Sequence, residues 1–218
     1  MAKFNVYEKF SSIDGEGPNS GKLSTFIRFV NCNLRCPFCD TKYALTEECT
    51  HTVETEKEIV DYCIAQGNHN ITLTGGEPLL QPNLIRLVNE LIENKFYVSI
   101  ETNGSLDFSD FPDTDKCMIV MDYKCPSSGQ EKAMLTSNFE LLNEEDVVKF
   151  VVGDKKDLEE ALKVIHLYQP ICKIYVSPVF GDIELVEIVD FMKEHKLNDW
   201  TLQAQLQKIA WSPETRGV

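Results

Sequence analysis

The chain has 218 residues, 43% hydrophobic and 26% charged, with 21 Lys and Arg against 35 Asp and Glu and a formal net charge of −14. A globular chain of this length buries roughly 70% of the surface its unfolded form exposes, so it needs no disulfide staples, and its composition excludes a disordered chain. The acidic balance excludes a broad nucleic-acid footprint, and no apolar run approaches the ~18 residues of a membrane span.

The opening segment, Met1 to Lys9, is interrupted by charge and reads as no signal peptide, which points to a cytoplasmic protein with one domain over residues 1–218. Thr25–Val30 reads as the first strand. Thr55 with Glu58 forms a capping box ahead of Ile59, Val60 and Ile64. Ile71–Thr74 is a short apolar strand, and Pro82 fits the first turn of a helix carrying Leu84, Leu87, Val88 and Leu91. Strands follow at Tyr97–Thr102, Met118–Asp122 and Val147–Val152. Asp154 caps a helix with Leu158, Leu162 and Ile165 on one face. After a strand at Ile174–Ser177, Asp182 caps a helix with Leu185, Ile188, Val189 and Met192. Trp200–Gln205 reads as the last strand, its polar Thr201, Gln203 and Gln205 facing either a pocket or solvent.

The interior strands are nearly continuous apolar runs, as strands covered on both faces should be. Strand and helix alternate over most of the length, which implies an α/β fold with a parallel sheet and right-handed crossovers. About six β/α units are too few for a complete eight-fold barrel, so the expected architecture is a partial, open parallel β/α barrel. Its site is expected at the carboxyl ends of the strands.

Eight cysteines are present, and Cys32, Cys36 and Cys39 crowd into one loop directly after the first predicted strand. Cys63, Cys117 and Cys172 sit in apolar patterns and read as buried thiols. Three thiolates spaced Cys-x-x-x-Cys-x-x-Cys hold three corners of an iron–sulfur cube and leave one iron open. The alternative is a structural zinc, which prefers four closed ligands and would draw on Cys49 or His51. A second element, Thr74-Gly75-Gly76-Glu77-Pro78, ends the strand at Ile71–Thr74. Its paired glycines allow close backbone approach, and its carboxylate suits an ammonium group.

The cysteine spacing, with Phe38 before the last cysteine, resembles the radical S-adenosylmethionine (SAM) superfamily, and the glycine pair resembles that superfamily's element for the methionine end of SAM. The lead-in Ser12-Ile13-Asp14-Gly15-Glu16-Gly17, the following Arg28, Asp40-Thr41 after the third cysteine and Glu101-Thr102-Asn103-Gly104 narrow the resemblance to the 7-carboxy-7-deazaguanine synthases of queuosine and 7-deazapurine biosynthesis. That resemblance implies rearrangement of 6-carboxy-5,6,7,8-tetrahydropterin to 7-carboxy-7-deazaguanine with loss of ammonia. It implies a [4Fe–4S] cluster on Cys32, Cys36 and Cys39, and magnesium on Thr41. It places SAM against Phe38, Cys39, Asp40, Gly76, Glu77, Asp122, Tyr123, Lys124, Ser177 and Pro178. The pterin falls to Ile13, Asp14, Gly15, Glu16, Arg28 and Thr74. A homodimer and a flavodoxin- or ferredoxin-type reductant are implied as well.

Two positions depart from the family's usual residues: Asp14 stands where Gln is common, and Asp122-Tyr123-Lys124 where Ser-Pro-Lys is common. The rival enzyme is a glycyl-radical-enzyme activase, which shares the triplet and an Asp-Gly-x-Gly lead-in but usually continues after the third cysteine with His-Asn. A noncatalytic zinc or iron–sulfur protein is the alternative of another class, and it gives no account of Thr74–Pro78.

Overall fold

A computed structural model of the chain describes residues 2–212 and 215–218. Among these, nine strands form one sheet: β1 (Lys3–Ile13), β2 (Leu23–Phe29), β3 (Thr52–Thr55), β4 (Asn70–Gly75), β5 (Tyr97–Thr102), β6 (Cys117–Tyr123), β7 (Val147–Val152), β8 (Lys173–Pro178) and β9 (Trp200–Leu202). Their order is β3-β1-β2-β4-β5-β6-β7-β8-β9, so β3 and β9 are edges and the barrel stays open. From β2 to β9 every neighbouring pair is parallel. β1 is antiparallel to β2, and β3 is antiparallel to β1.

The seven parallel strands are joined by six crossovers, four of which carry an α-helix: α1 (Glu56–Gln66), α2 (Leu84–Glu93), α3 (Lys155–Tyr168) and α4 (Leu185–His195). The links from β5 to β6 and from β6 to β7 contain no α-helix; the second is built from short 3₁₀ turns. Buried Asn138 pins the two links together by donating to the carbonyls of Gly104 and Leu106 at 3.3 and 2.9 Å. A last short helix, α5 (Leu206–Ala210), follows β9.

Thr55 and Glu58 do form a capping box, with the Thr55 hydroxyl accepting from the Glu58 N–H at 3.3 Å. Asp154 caps α3, accepting from the Asp157 N–H at 3.0 Å. Pro82 lies ahead of α2 rather than in its first turn, because Asn83 occupies the cap in a left-handed conformation, φ 62°. The α4 cap is Glu184, not Asp182, whose N–H closes a turn onto the Val179 carbonyl instead. β9 ends at Leu202, short of Gln205: the Gln203 side chain leaves the sheet to bind the backbone N–H and carbonyl of Gly17 at 2.7 and 3.1 Å.

β1 was not among the expected strands, and its geometry shows why. Val6 pairs with Phe29 and Glu8 with Arg28, so a register shift between them switches the strand's even-numbered residues from one face to the other. Phe4 and Val6 pack into the core under the helices, whereas Glu8 pairs beside Arg28 on the opposite face. The core is filled by Phe29, Phe150, Ile71, Leu73, Ile100, Leu87 and Leu91, all fully buried. Cys63, Cys117 and Cys172 are buried as expected, and Cys125 with them. Burial pushes the first three thiols up to about 12, 12 and 11, so they are inert fillers of the core.

Candidate active site

β2 runs out at Phe29 and turns through Asn31, φ 77°, into the cysteine loop. The end of β4 lies against this turn with no room for a side chain. A Cβ on Gly75 would stand 2.2 Å from the Phe29 carbonyl oxygen, and one on Gly76 would stand 2.0 Å from that of Asn31. The Gly76 N–H donates to the Phe29 carbonyl at 3.0 Å and the Glu77 N–H to that of Asn31 at 2.7 Å. The close approach that the two glycines permit is therefore between two stretches of backbone, and it fixes where the cysteine loop starts.

Cys32 is buried, and Cys36 and Cys39 are half-buried. Two donors point at the Cys32 sulfur: the Leu34 N–H at 3.4 Å and the Asn103 amide at 3.6 Å. Desolvation raises the Cys32 and Cys36 thiols, so loading a metal cluster would displace protons from them. The three sulfurs line one cavity, and no histidine or fourth cysteine lines it among the described residues. Cys49 and His51 lie outside that lining, tied to each other through a 2.8 Å contact between His51 Nδ1 and the Cys49 carbonyl. Three cysteines on one lining, with N–H donors behind Cys32 and, among the described residues, no fourth sulfur or imidazole beside them, suit a [4Fe–4S] cube better than a closed zinc site. The Thr41 hydroxyl sits at the same rim, 3.5 Å from Cys39 Sγ and 3.5 Å from the Gly75 carbonyl.

The cavity, about 320 Å³, opens at the carboxyl ends of the parallel strands. Of the residues singled out from sequence, Ile13, Asp14, Gly15, Glu16, Arg28, Thr74, Phe38, Asp40, Thr41, Gly76, Asp122, Lys124 and Pro178 line it together with the three cysteines. Glu77, Tyr123 and Ser177 do not. Glu77 is fully buried beneath the floor, where its carboxylate accepts from the Leu79 N–H (3.0 Å), the Thr102 hydroxyl (2.8 Å) and the Asn103 N–H (2.7 Å). Tyr123, between Asp122 and Lys124, points to the other face and packs on Phe139 and Phe150 at 6.0 and 5.6 Å. Ser177 is fully buried, and its hydroxyl has no hydrogen-bond partner among the described residues.

Charge is distributed unevenly in the lining. Arg28 donates through Nε to Glu8 at 2.8 Å and lies over Phe10 at 5.8 Å. No group among the described residues accepts from its two terminal nitrogens. Lys149 reaches Glu16 at 2.6 Å and Asp122 at 3.1 Å, and Lys124 reaches Asp122 at 2.8 Å. Burial works against ionising Glu16 and Asp122, yet these lysines hold both below the usual carboxylate range. Asp14 and Glu101 behave differently. Burial pushes Asp14 up to about 6 despite hydrogen bonds from the Glu16 N–H and the Thr72 hydroxyl, each 3.2 Å. It pushes Glu101 up to about 7, with the Thr74 hydroxyl donating to it at 2.7 Å.

Lys149 and Glu101 were not singled out as site residues from sequence. A lone lysine inside Val-Val-Lys-Phe-Val-Val was the available signal. Gln207, Lys208 and Arg216 are a second omission, whereas Gln205 falls on the pocket side of the two readings its strand allowed. Gln205 and Gln207 donate to Glu16 at 2.7 and 3.2 Å, Lys208 stands 4.0 Å from Asp40, and Arg216 lies over the Tyr43 ring at 4.2 Å. All of these line the cavity, and the buried Gln207 Oε1, packed against Gly15, has no hydrogen-bond partner among the described residues.

The chain is similar to several known proteins. The model of the radical SAM superfamily matches residues 26–194. The 7-carboxy-7-deazaguanine synthase of Clostridium acetobutylicum is 51% identical over 219 residues, covering 99% of both chains. That of Methanospirillum hungatei is 38% identical, covering 95% of this chain and 86% of the other. Among solved structures, QueE from Escherichia coli superposes with a TM-score of 0.74 at 21% identity over 93% of this chain and 94% of that one, a likeness of fold. SuiB from Streptococcus suis bound to S-adenosylmethionine gives a TM-score of 0.58 at 14% identity over 80% of this chain and 45% of that one.

Proposed function

The chain belongs to the radical SAM superfamily and, within it, to the 7-carboxy-7-deazaguanine synthases, and from that premise we propose that it rearranges 6-carboxy-5,6,7,8-tetrahydropterin to 7-carboxy-7-deazaguanine and ammonia in this cavity. What carries the proposal is a juxtaposition. The three thiols, Gly76 and the polar set Asp14, Arg28 and Thr74 line one cavity at the strand ends.

Cys32, Cys36 and Cys39 would hold a [4Fe–4S] cluster, which together with SAM would supply radical chemistry able to take hydrogen from the substrate. Phe38, Asp40, Gly76, Asp122, Lys124 and Pro178, which line the same cavity, would hold SAM. Glu77 acts from beneath, shaping the floor by tying the end of β4 to the turn after β5. Arg28, with its Nε committed to Glu8, presents its two terminal nitrogens as a planar fork for the substrate carboxylate. Ile13, Asp14, Gly15, Glu16 and Thr74 would surround the pterin ring. Thr41 supplies one neutral oxygen at the rim, a donor suited to magnesium completed by water and substrate. The lead-in around Glu16 and the segment after β9 close over the cavity through Gln205 and Gln207, which excludes water from a reactive radical.

On the same reading the enzyme works in the cytoplasm as a homodimer and takes its electron from a flavodoxin- or ferredoxin-type protein. The family resemblance supports these three points. Cysteine replacement tests the site directly. Cys32→Ala, Cys36→Ala and Cys39→Ala should each abolish the brown chromophore and reductive SAM cleavage, while Cys49→Ala and Cys63→Ala keep both. Loss of the cluster in Cys49→Ala would contradict the assignment.

A further inference from the structure

Lys149 stands in the middle of β7, flanked on both sides by apolar residues, and its side chain is 8% exposed. A buried ammonium is costly unless it is paired and hydrogen-bonded. Here the offset comes from two carboxylates on different elements: Glu16 in the turn after β1, and Asp122, its register partner on β6. Lys124 adds a second cation to Asp122, so two lysines and two carboxylates neutralise one another. Arg28, the nearby cation on β2, is spent on Glu8. Asp14 and Glu101 are left with no cation in ion-pair reach among the described residues, each held by a threonine hydroxyl.

We propose that Lys149 is a positioning residue which clamps Glu16 to Asp122, and that of the two carboxyls left without a cation, Asp14 and Glu101, it is Glu101 that carries the proton of the cavity. The inference rests on the synthase reading and deepens it. Release of ammonia breaks a C–N bond whose electron pair stays on nitrogen, and that nitrogen needs a proton. Glu101 gives its carboxyl proton there, and as a carboxylate it regains one from the substrate carbon that loses hydrogen when the new ring becomes aromatic. A carboxyl poised near neutrality suits both steps. Burial raises Glu101, Lys149 pulls it back, and Asp14 and Glu16 push it up again. With the lysine charge gone, Glu101 must hold its proton to a higher pH.

Infrared titration of the oxidised holoenzyme in D2O reads the protonated carboxyl band without catalysis, and Glu101→Gln identifies which band belongs to Glu101. The band should fall to half its intensity near pH 7 in the unaltered enzyme. That midpoint should lie about 1 pH unit higher in Lys149→Met and return close to its original pH in Lys149→Arg. The alkaline limb of kcat/KM should move the same way. Where Lys149→Met does not load its cluster, Glu16→Gln gives the opposite test, a shift to lower pH. A band that stays in place in these variants, with activity falling equally at every pH, overturns the proposal. A shifted band in an enzyme that makes no deazapurine would support the clamp and overturn the reaction, so the two failures are distinguishable.

Discussion

The backbone N–H of Asn103 donates to the buried Glu77 carboxylate at 2.7 Å, and through this bond the turn after β4 sets the turn after β5. The side chain of Asn103 then reaches Cys32 Sγ at 3.6 Å. A residue that the family pattern assigns to SAM thus acts on the cluster loop from below. Glu77→Ala would leave the Leu79 and Asn103 N–H groups and the Thr102 hydroxyl without an acceptor in a dry site. The expected cost is about 2–4 kcal/mol of stability, read by denaturant unfolding of the apo protein, with lower iron content after reconstitution. Unchanged stability and iron content would show that Glu77 carries no structural role.

Gly76→Ala should be more damaging than its size suggests. The new methyl would meet the Asn31 carbonyl oxygen at 2.0 Å and the Cys32 nitrogen at 2.9 Å, both backbone atoms that cannot swing aside. Relief requires moving the cysteine loop away from β4, so the variant should fold with a lower melting temperature and bind less than half the iron. Full iron loading with an unshifted melting temperature would contradict the packing account.

Much of this architecture was legible in the sequence. Tyr97–Thr102 and Val147–Val152 have the boundaries expected of them, because their β-branched and aromatic residues carry the strand signal past the polar Ser99 and Glu101 in one and Lys149 in the other. β1 escaped because a register shift between Val6 and Glu8 changes which face its alternate residues occupy. The cysteine triplet was readable because its three ligands are adjacent in the chain. The charge network was not, since Glu16, Glu101, Asp122 and Lys149 come from four separate elements that only the sheet brings together. Tyr123 shows the limit of matching by position: its two neighbours face the cavity, and strand alternation sends it the other way.

Arg28 offers a test of substrate geometry. Its Nε is fixed by Glu8 at 2.8 Å, so the fork is held in place before any ligand arrives. Arg28→Lys keeps the charge and loses the two-point contact, and KM for the pterin should rise about tenfold with a smaller effect on kcat. Glu8→Gln should raise KM in the same direction by a smaller factor. Equal KM values in Arg28→Lys and the unaltered enzyme would make the arginine structural.

Thr41 gives a metal-specific prediction. Thr41→Ala removes the hydroxyl 3.5 Å from Cys39 Sγ without disturbing the sulfur itself. The variant should assemble its cluster normally and need several-fold more magnesium to reach half of its maximal rate. A magnesium requirement identical to that of the unaltered enzyme would remove Thr41 from the metal site.

The central claim is that a cysteine-held cluster and a polar cavity on this open sheet rearrange a small carboxylated pterin. The direct measurement is an anaerobic incubation of the reconstituted enzyme with SAM, reductant, magnesium and 6-carboxytetrahydropterin, quantifying deazapurine, ammonia and 5′-deoxyadenosine together. The account predicts 7-carboxy-7-deazaguanine and ammonia in equal amounts, both in excess of the 5′-deoxyadenosine released. Substrate left intact while SAM is cleaved, with a glycyl radical appearing on an added partner protein, would contradict it.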